Sequence, residues 1–456
     1  MVKDAVIVVG AGLAGLAAAD WLIRRRVPVT LFEGRDRIGG RVWTLRDGFV
    51  GNLHAEAGGE FIDEGQDAIR ELVQSLGLRL LRVLRTGFGL ARRSPRGRVE
   101  IHRTVPWHSY LEELRPILEP YVRGDQRWDG PVARAIARRS IAEFVRTIPG
   151  AAKDGLAWLQ GLLGADVEDL SLLVLAELAA TAGHRPGRQK LYRIVGGADR
   201  LVDRLAAPLR NRIHLRRRVV AVSQTSRAVR IKVRGADGAL EEITGGHVIL
   251  TAPAATLKEV AFHPRIPEDQ WKAIVRLRYG QATKTHLQFD RAFWRRPGRP
   301  SAFGTTLPIG AVWDGTEGQV RGRHSALLTL LAGGSASDAT RAILSRGGPE
   351  RLRRELKWLG AGRGRLLSWR SVTWETDPWS RGSYAYFDPA YDPSWRLLLA
   401  RPFGRILFAG EHTSLEWQGY MNGAVESGQR AAAEVLALTK QRGGGPISVD
   451  LAAPAS

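Results

Sequence analysis

The chain opens on a continuous apolar run, Ala5 to Val9, the pattern of a strand covered on both faces of a parallel sheet. Glycines at 10, 12 and 15 follow, then small residues that predict a helix through about Arg25, ended by Pro28. The run "VTLFE" predicts a second strand closing at Glu33. Near the other end, "RILFAG" reads as a buried strand that stops at Ala409-Gly410. Glu411-His412 separate it from a helix-like segment with glycines at 419, 423 and 428. A glycine inside a helix costs roughly 1 kcal/mol relative to alanine, so these three ask for another reason.

Between these ends, "LYRIVGGADRLVDRLA" predicts a helix, "IHLRRRVVAVSQ" and "VRIKVRG" hairpin-like strands, and "HVILTAP" a buried strand. Amphipathic helical stretches fall near 110–118, 133–147 and 168–182, and a sheet near 283–331. No internal repeat is visible. At 456 residues the chain exceeds one compact core and suggests at least two domains.

Composition narrows the chemistry. With 44% hydrophobic and 25% charged residues the chain is globular. It has no cysteine, which excludes disulfides, thiolate metal sites and cysteine-linked cofactors and fits a reducing compartment. Its 10 histidines show no paired ligand spacing, so no metal is expected. The formal charge of +22 would draw anions. Only "RRSPRGR" (92–98) and "HLRRR" (214–218) are compact clusters, and neither interleaves aromatics for stacking on bases. The basic residues are therefore read as a solvated surface, with no nucleic-acid partner. The first apolar run lacks the basic flank of a signal peptide, and no stretch of 18 or more apolar residues predicts a membrane span. A soluble, cytoplasmic protein is expected, with a Gly/Pro/Ala-rich flexible tail over 441–456.

The spacing Gly10-x-Gly12-x-x-Gly15 sits between a strand and a helix, the context that makes this motif specific. Gly10 permits the tight turn, Gly12 lets backbone approach a pyrophosphate at the helix N-terminus, and Gly15 packs the helix on the sheet. Glu33 lies 18 residues after Gly15, near the ~20 expected of a carboxylate that binds ribose hydroxyls. Directly after it, "GRDRIGGRVWT" (34–44) sets Arg35, Arg37 and Arg41 around Gly39-Gly40. Arginine forks and bare backbone both suit phosphate.

These two stretches together resemble the FAD-binding signature of the flavin amine oxidase superfamily. "FAGEHTS…GYMNGAVESG" is similar to its monoamine oxidase branch, and the resemblance runs from residue 4 to about 436. It implies an α/β fold with two domains. A discontinuous Rossmann-like FAD-binding domain would span 1–80, 191–265 and 400–440. An α+β substrate-binding domain would span 81–190 and 266–399. FAD contacts are implied at Gly10, Gly12, Leu13, Ala14 and Gly15, and at Glu33, Gly34, Arg35, Gly40 and Arg41. In "AEAGGEFIDEG" (55–65), Gly58, Gly59 and Glu60 would run along the flavin ring, and Val219 would meet the adenosine end. In the last motif the contacts are Gly410, Glu411, Gly419, Tyr420 and Met421. Glu411 would accept from ribityl or ribose hydroxyls. The glycines that follow would let the flat ring in, against a helix N-terminus whose dipole favours reduced flavin.

The same resemblance implies the catalytic set. Lys284 in "GQATKTHLQFDRAFW" would hydrogen-bond through a water to flavin N5, although a lysine in an alternating strand is ordinarily solvated. Trp374 in "WETDPWSRGSYAYFDP" would flank the ring, and Tyr384 and Tyr420 would form an aromatic cage that orients an amine and excludes water. Ser383 stands where some relatives carry a cysteine bonded to FAD, so FAD is expected to be non-covalent, and no membrane anchor is expected. The implied reaction oxidises an amine, most simply a primary monoamine, to an imine that hydrolyses to an aldehyde or ketone, with O2 reduced to hydrogen peroxide. The expected partners are a small-molecule amine and O2, with a homodimer left open. An L-amino acid oxidase remains an alternative, weakened because Glu60-Phe61 stand where one branch has an arginine. A polyamine oxidase is less favoured by the charge, although Glu60 or Glu375 could pair with a distal amine. A nucleic-acid or chromatin-binding flavin scaffold is the reading from outside catalysis, and no inserted helical module supports it.

Overall fold

The structure, a computed structural model, describes residues 5–105, 107–150, 156, 160–181, 190–319 and 325–442. The expected flexible tail therefore lies, from residue 443, outside the described residues. Strand β1 (Val6–Val9) is the centre of a five-stranded parallel sheet, followed by helix α1 (Leu13–Ile23) and strand β2 (Val29–Phe32). The sheet order is Ile213–His214, β2, β1, His247–Leu250 and Ile406–Phe408. Three distant parts of the chain thus meet in one sheet. The all-apolar runs that compose it are buried along their whole length, as a sheet covered on both faces requires.

Helix α1 packs against the sheet and against the C-terminal helix Met421–Arg442. Both approaches depend on missing side chains. A Cβ on Gly15 would lie 1.9 Å from the Gly10 carbonyl oxygen, and one on Gly428 would lie 2.2 Å from that of Ala14. A Cβ on Gly423 would meet the Trp417 carbonyl at 2.1 Å. The expectation that glycines 419, 423 and 428 all admit the flavin ring is therefore corrected. Gly423 and Gly428 allow backbone to pack on backbone, and Gly419 alone of the three faces the large cavity.

A second sheet of seven strands carries the order 366–373, 282–289, 326–333, 311–314, 302–305, 88–93 and 99–102. It extends well beyond the predicted 283–331, because strands from both flanking segments join its edges. Its strand Ala282–Phe289 lies between two neighbours and is buried at every residue, so Lys284 does not stand on the solvated face that strand alternation suggested. Two further expectations change. Residues 133–147 form two helices, Pro131–Ala137 and Ile141–Thr147, because Ser140 caps the second in a reciprocal capping box with Glu143. Leu191–Ile194 is a strand rather than the start of a helix, because it pairs with both 62–63 and 80–83. Among the described residues, no helix is long and apolar enough to cross a membrane.

The helix crossing gives a test. Gly428→Ala would gain roughly 1 kcal/mol of helix propensity, but its methyl meets a carbonyl that cannot move without shifting α1. We expect a net loss of about 1–3 kcal/mol from overpacking, measured by chemical denaturation. Unchanged or increased stability would contradict the close approach.

Candidate active site and cofactor cleft

A cavity of about 400 Å3 runs from the C-terminal ends of the parallel strands to the second sheet. Its wall includes every FAD contact and catalytic residue that the resemblance implies except Gly15: Gly10, Gly12, Leu13, Ala14, Glu33, Gly34, Arg35, Gly40, Arg41, Gly58, Gly59, Glu60, Val219, Lys284, Trp374, Tyr384, Gly410, Glu411, Gly419, Tyr420 and Met421. Arg37 and Glu375 are not part of it. Gly15 instead lies behind the turn, packed on Gly10. The first turn and the Gly39-Gly40 loop present bare backbone to each other. A Cβ on Gly12 would find nothing nearer than the Gly40 Cα at 3.9 Å. Gly58 and Gly59 differ, since a Cβ there would strike the Arg41 carbonyl at 1.8 Å or the Met421 sulfur at 2.8 Å.

Several predicted contacts turn out to be committed within the protein. Glu33 accepts from the Ala11 and Arg35 amides, both at 2.8 Å, which leaves lone pairs for a ribose hydroxyl. The Arg35 guanidinium, expected at a phosphate, instead makes a fork with Asp377 at 2.5 and 2.7 Å and also donates to the Ser380 hydroxyl. Bidentate pairing of this kind takes up the planar face of the fork. Glu411, expected at ribityl or ribose hydroxyls, accepts from Arg41 Nη1 at 3.0 Å, from the Ala385 amide at 3.3 Å and from the Gly419 amide at 2.9 Å.

Lys284 Nζ donates to Glu60 Oε2 at 2.5 Å and to the Gly58 carbonyl at 3.0 Å. The other Glu60 oxygen meets Arg193 Nη2 at 2.6 Å and accepts from Trp313 Nε1 at 3.0 Å. Burial alone would push the Glu60 carboxyl up, but Lys284 and Arg193 outweigh it and hold the pKa at about 2. Glu60 is thus ionised and paired through both oxygens, while still lining the cavity. Glu375, the other carboxylate considered for a distal amine, accepts from the Ala282 amide and the Ser337 hydroxyl.

The aromatic residues surround the same space. Trp374 Nε1 donates to the Ala57 carbonyl at 2.8 Å, which fixes the plane of its indole. The Tyr384 hydroxyl donates to the Leu162 carbonyl. Burial pushes the phenols of Tyr384 and Tyr420 well above their ordinary value, so both stay neutral. Ser383 also lines the cavity, with its hydroxyl on the Gly280 carbonyl. Sequence reasoning missed the wall formed by Trp379, Ser380 and Arg381, and that of Thr251 and Glu259. The first three lie inside the quoted Trp374–Tyr384 motif and Thr251 lies in the quoted run "HVILTAP", whereas Glu259 carried no signal.

The sequence profile for "Flavin containing amine oxidoreductase" matches residues 13–436, and the chain belongs to that family. Flavin-containing amine oxidase B of Homo sapiens is 26% identical over 473 residues, spanning 95% of this chain and 86% of that one. AofH of Mycobacterium tuberculosis is 30% identical over 462 residues, spanning 95% and 96%. The structure of cyclohexylamine oxidase from Brevibacterium oxydans IH-35A superposes with a TM-score of 0.82 at 25% identity, over 96% of this chain and 99% of that one. The chain is an oxidoreductase whose cofactor is FAD. The bare Gly12–Gly40 wall and the spare acceptor sites of Glu33 fit such a dinucleotide, and a chain without cysteine makes no thioether to it.

The buried ion pair sets a stability prediction. The folded-state pKa of Glu60 lies at about 2, against an ordinary 4.5, so its contribution is complete above about pH 4.5 and is lost as pH falls through about 2. Glu60→Gln leaves two cations without their counter-charge and should cost about 3–5 kcal/mol at neutral pH. Chemical denaturation of both proteins across pH should show the gap narrowing in acid. A gap that does not change with pH would contradict the ion pair.

Proposed function

We propose that this protein oxidises a primary monoamine to an imine, which water hydrolyses to an aldehyde or ketone plus ammonia, with O2 reduced to hydrogen peroxide. The observation that carries this reading is that Lys284, Trp374, Tyr384 and Tyr420 line the same cavity as the glycine turn that suits a dinucleotide. FAD held in this cleft would supply the two-electron acceptor for a hydride equivalent from the amine α-carbon, with O2 as the final oxidant. In this reading the chain supplies position and electrostatics. Tyr384 and Tyr420, neutral and buried, orient the amine lone pair with their ring faces and exclude water. Trp374 would stand beside the ring, and Lys284, already donating to Glu60 and Gly58, would offer its remaining proton to a water at the flavin. The segments carrying the glycine turn and the last motif form the cofactor domain, and the seven-stranded sheet with its helices forms the substrate domain.

Charge pairing supports a monoamine over the alternatives. An amino acid needs a free cation for its carboxylate, but Lys284 and Arg193 share Glu60, and Arg41 faces Glu411. A diamine needs a free carboxylate for its second ammonium, and Glu60 and Glu375 are both engaged. AofH is named a monoamine oxidase and the Brevibacterium enzyme a cyclohexylamine oxidase, which agree with this reading. Putrescine oxidase superposes as well, at 24% identity, and speaks to the fold alone.

A peroxide-coupled assay over a panel of amines tests this. We expect output with arylalkyl or aliphatic monoamines and little with L-amino acids or diamines. Output confined to amino acids would move the assignment to an L-amino acid oxidase, and output confined to diamines to a polyamine oxidase. Lys284→Met should keep its yellow colour yet turn over about 10²-fold more slowly, the usual effect of losing one preorganised donor.

A further inference from the structure

The cofactor cleft is roofed at one end by residues 377–381, and two sets of ion pairs hold that roof down. On the inner side, Asp377 takes the buried Arg35 fork, and the Trp379 ring covers Gly34, where a Cβ would lie 2.1 Å from it. On the outer side, Glu259 receives Arg381 through one oxygen and Arg218, at 2.5 Å, through the other. Glu259, Arg218 and Arg381 all line the cavity, yet their side chains are 38%, 45% and 42% exposed. Arg381 holds a left-handed backbone, φ 52°, which is uncommon for a residue other than glycine. The Glu33 and Arg35 carbonyls accept from the Arg217 and Arg216 amides, so this is the end of the cleft where the ribose carboxylate stands.

We propose that Glu259, bridging Arg218 and Arg381, is the latch that closes the 377–381 loop over the adenosine half of FAD and sets how fast the cofactor leaves. The inference rests on FAD occupying the cleft with its adenosine half beside Glu33. It assigns three residues to cofactor retention in a protein that has no covalent link to rely on. The inner pair, a buried Arg35 on a partly buried Asp377, is less screened by salt than the half-exposed outer triad. Release should therefore depend on ionic strength through Glu259.

The sign of one substitution separates a latch from a simple charge effect. FAD carries an anionic pyrophosphate, so removing a nearby carboxylate would slow release if charge alone mattered. A latch requires the opposite. In the holoprotein, FAD release after dilution is read as the recovery of flavin fluorescence. We expect Glu259→Gln to release FAD roughly threefold to tenfold faster at low salt, with the melting point of the apoprotein unchanged. Salt of ~0.5 M should speed the wild type towards the variant and leave the variant unaffected. Arg381→Gln should behave like Glu259→Gln. Release that is unchanged or slower in Glu259→Gln, or a wild type indifferent to salt, would overturn the latch. A chain that takes up no FAD would overturn the cofactor assignment itself, a separate result.

Discussion

The carboxylate of Glu411 sits where three arms of the site meet. It closes the strand Ile406–Phe408 and accepts from Arg41, from the Ala385 amide and from the Gly419 amide. Arg41 belongs to the loop after the second strand, Ala385 follows Tyr384, and Gly419 precedes Tyr420. One side chain thereby ties the Gly39-Gly40 loop to the segments that carry Tyr384 and Tyr420. A buried carboxylate is costly unless donors surround it, and here the donors are the parts that must be held in register. Its carboxylate therefore serves the geometry of the site as a whole rather than one ligand group.

The same economy governs the charges around the cavity. Lys284, Glu60 and Arg193 form one buried group, Arg35 and Asp377 another, and Arg41 with Glu411 a third. Between these pairs, the cavity wall also carries the neutral aromatic groups of Trp374, Tyr384 and Tyr420. Such a surface suits an uncharged amine, and it offers neither a cation for a carboxylate nor a carboxylate for a second ammonium. By contrast, the ion pairs of Glu259 with Arg218 and Arg381 lie about half in solvent at the rim of the cavity. The proposed latch therefore rests on charge that salt can screen, unlike the pair of Lys284 and Glu60.

Local periodicity carried the reading where function depends on adjacent residues. The strand, glycine turn and helix of residues 5–25 and the final strand at 406–408 were legible because their burial is written in unbroken apolar runs. What was not legible is pairing across the chain. Arg35 meets Asp377 342 positions away, and Lys284 meets Glu60 224 positions away. Each of these residues has a type that suits a ligand equally well, so the sequence alone could not say that a protein partner occupies it. Gly428 failed for a related reason: its neighbour is the backbone of Ala14, and a glycine that admits a helix looks the same as one that admits a flavin. The strand of Lys284 misled through its polar threonines and glutamine, which are buried by pairing with hydroxyls and backbone on neighbouring segments.

In the proposed reaction, electrons pass from an amine to the bound cofactor. Purified protein should be yellow, and mixing it without air with an arylalkyl or aliphatic monoamine should bleach the visible flavin band, one amine consumed per flavin. Admitting O2 should restore the band with release of peroxide. A flavin band that no amine bleaches, or a protein that remains colourless when FAD is supplied, would contradict the account.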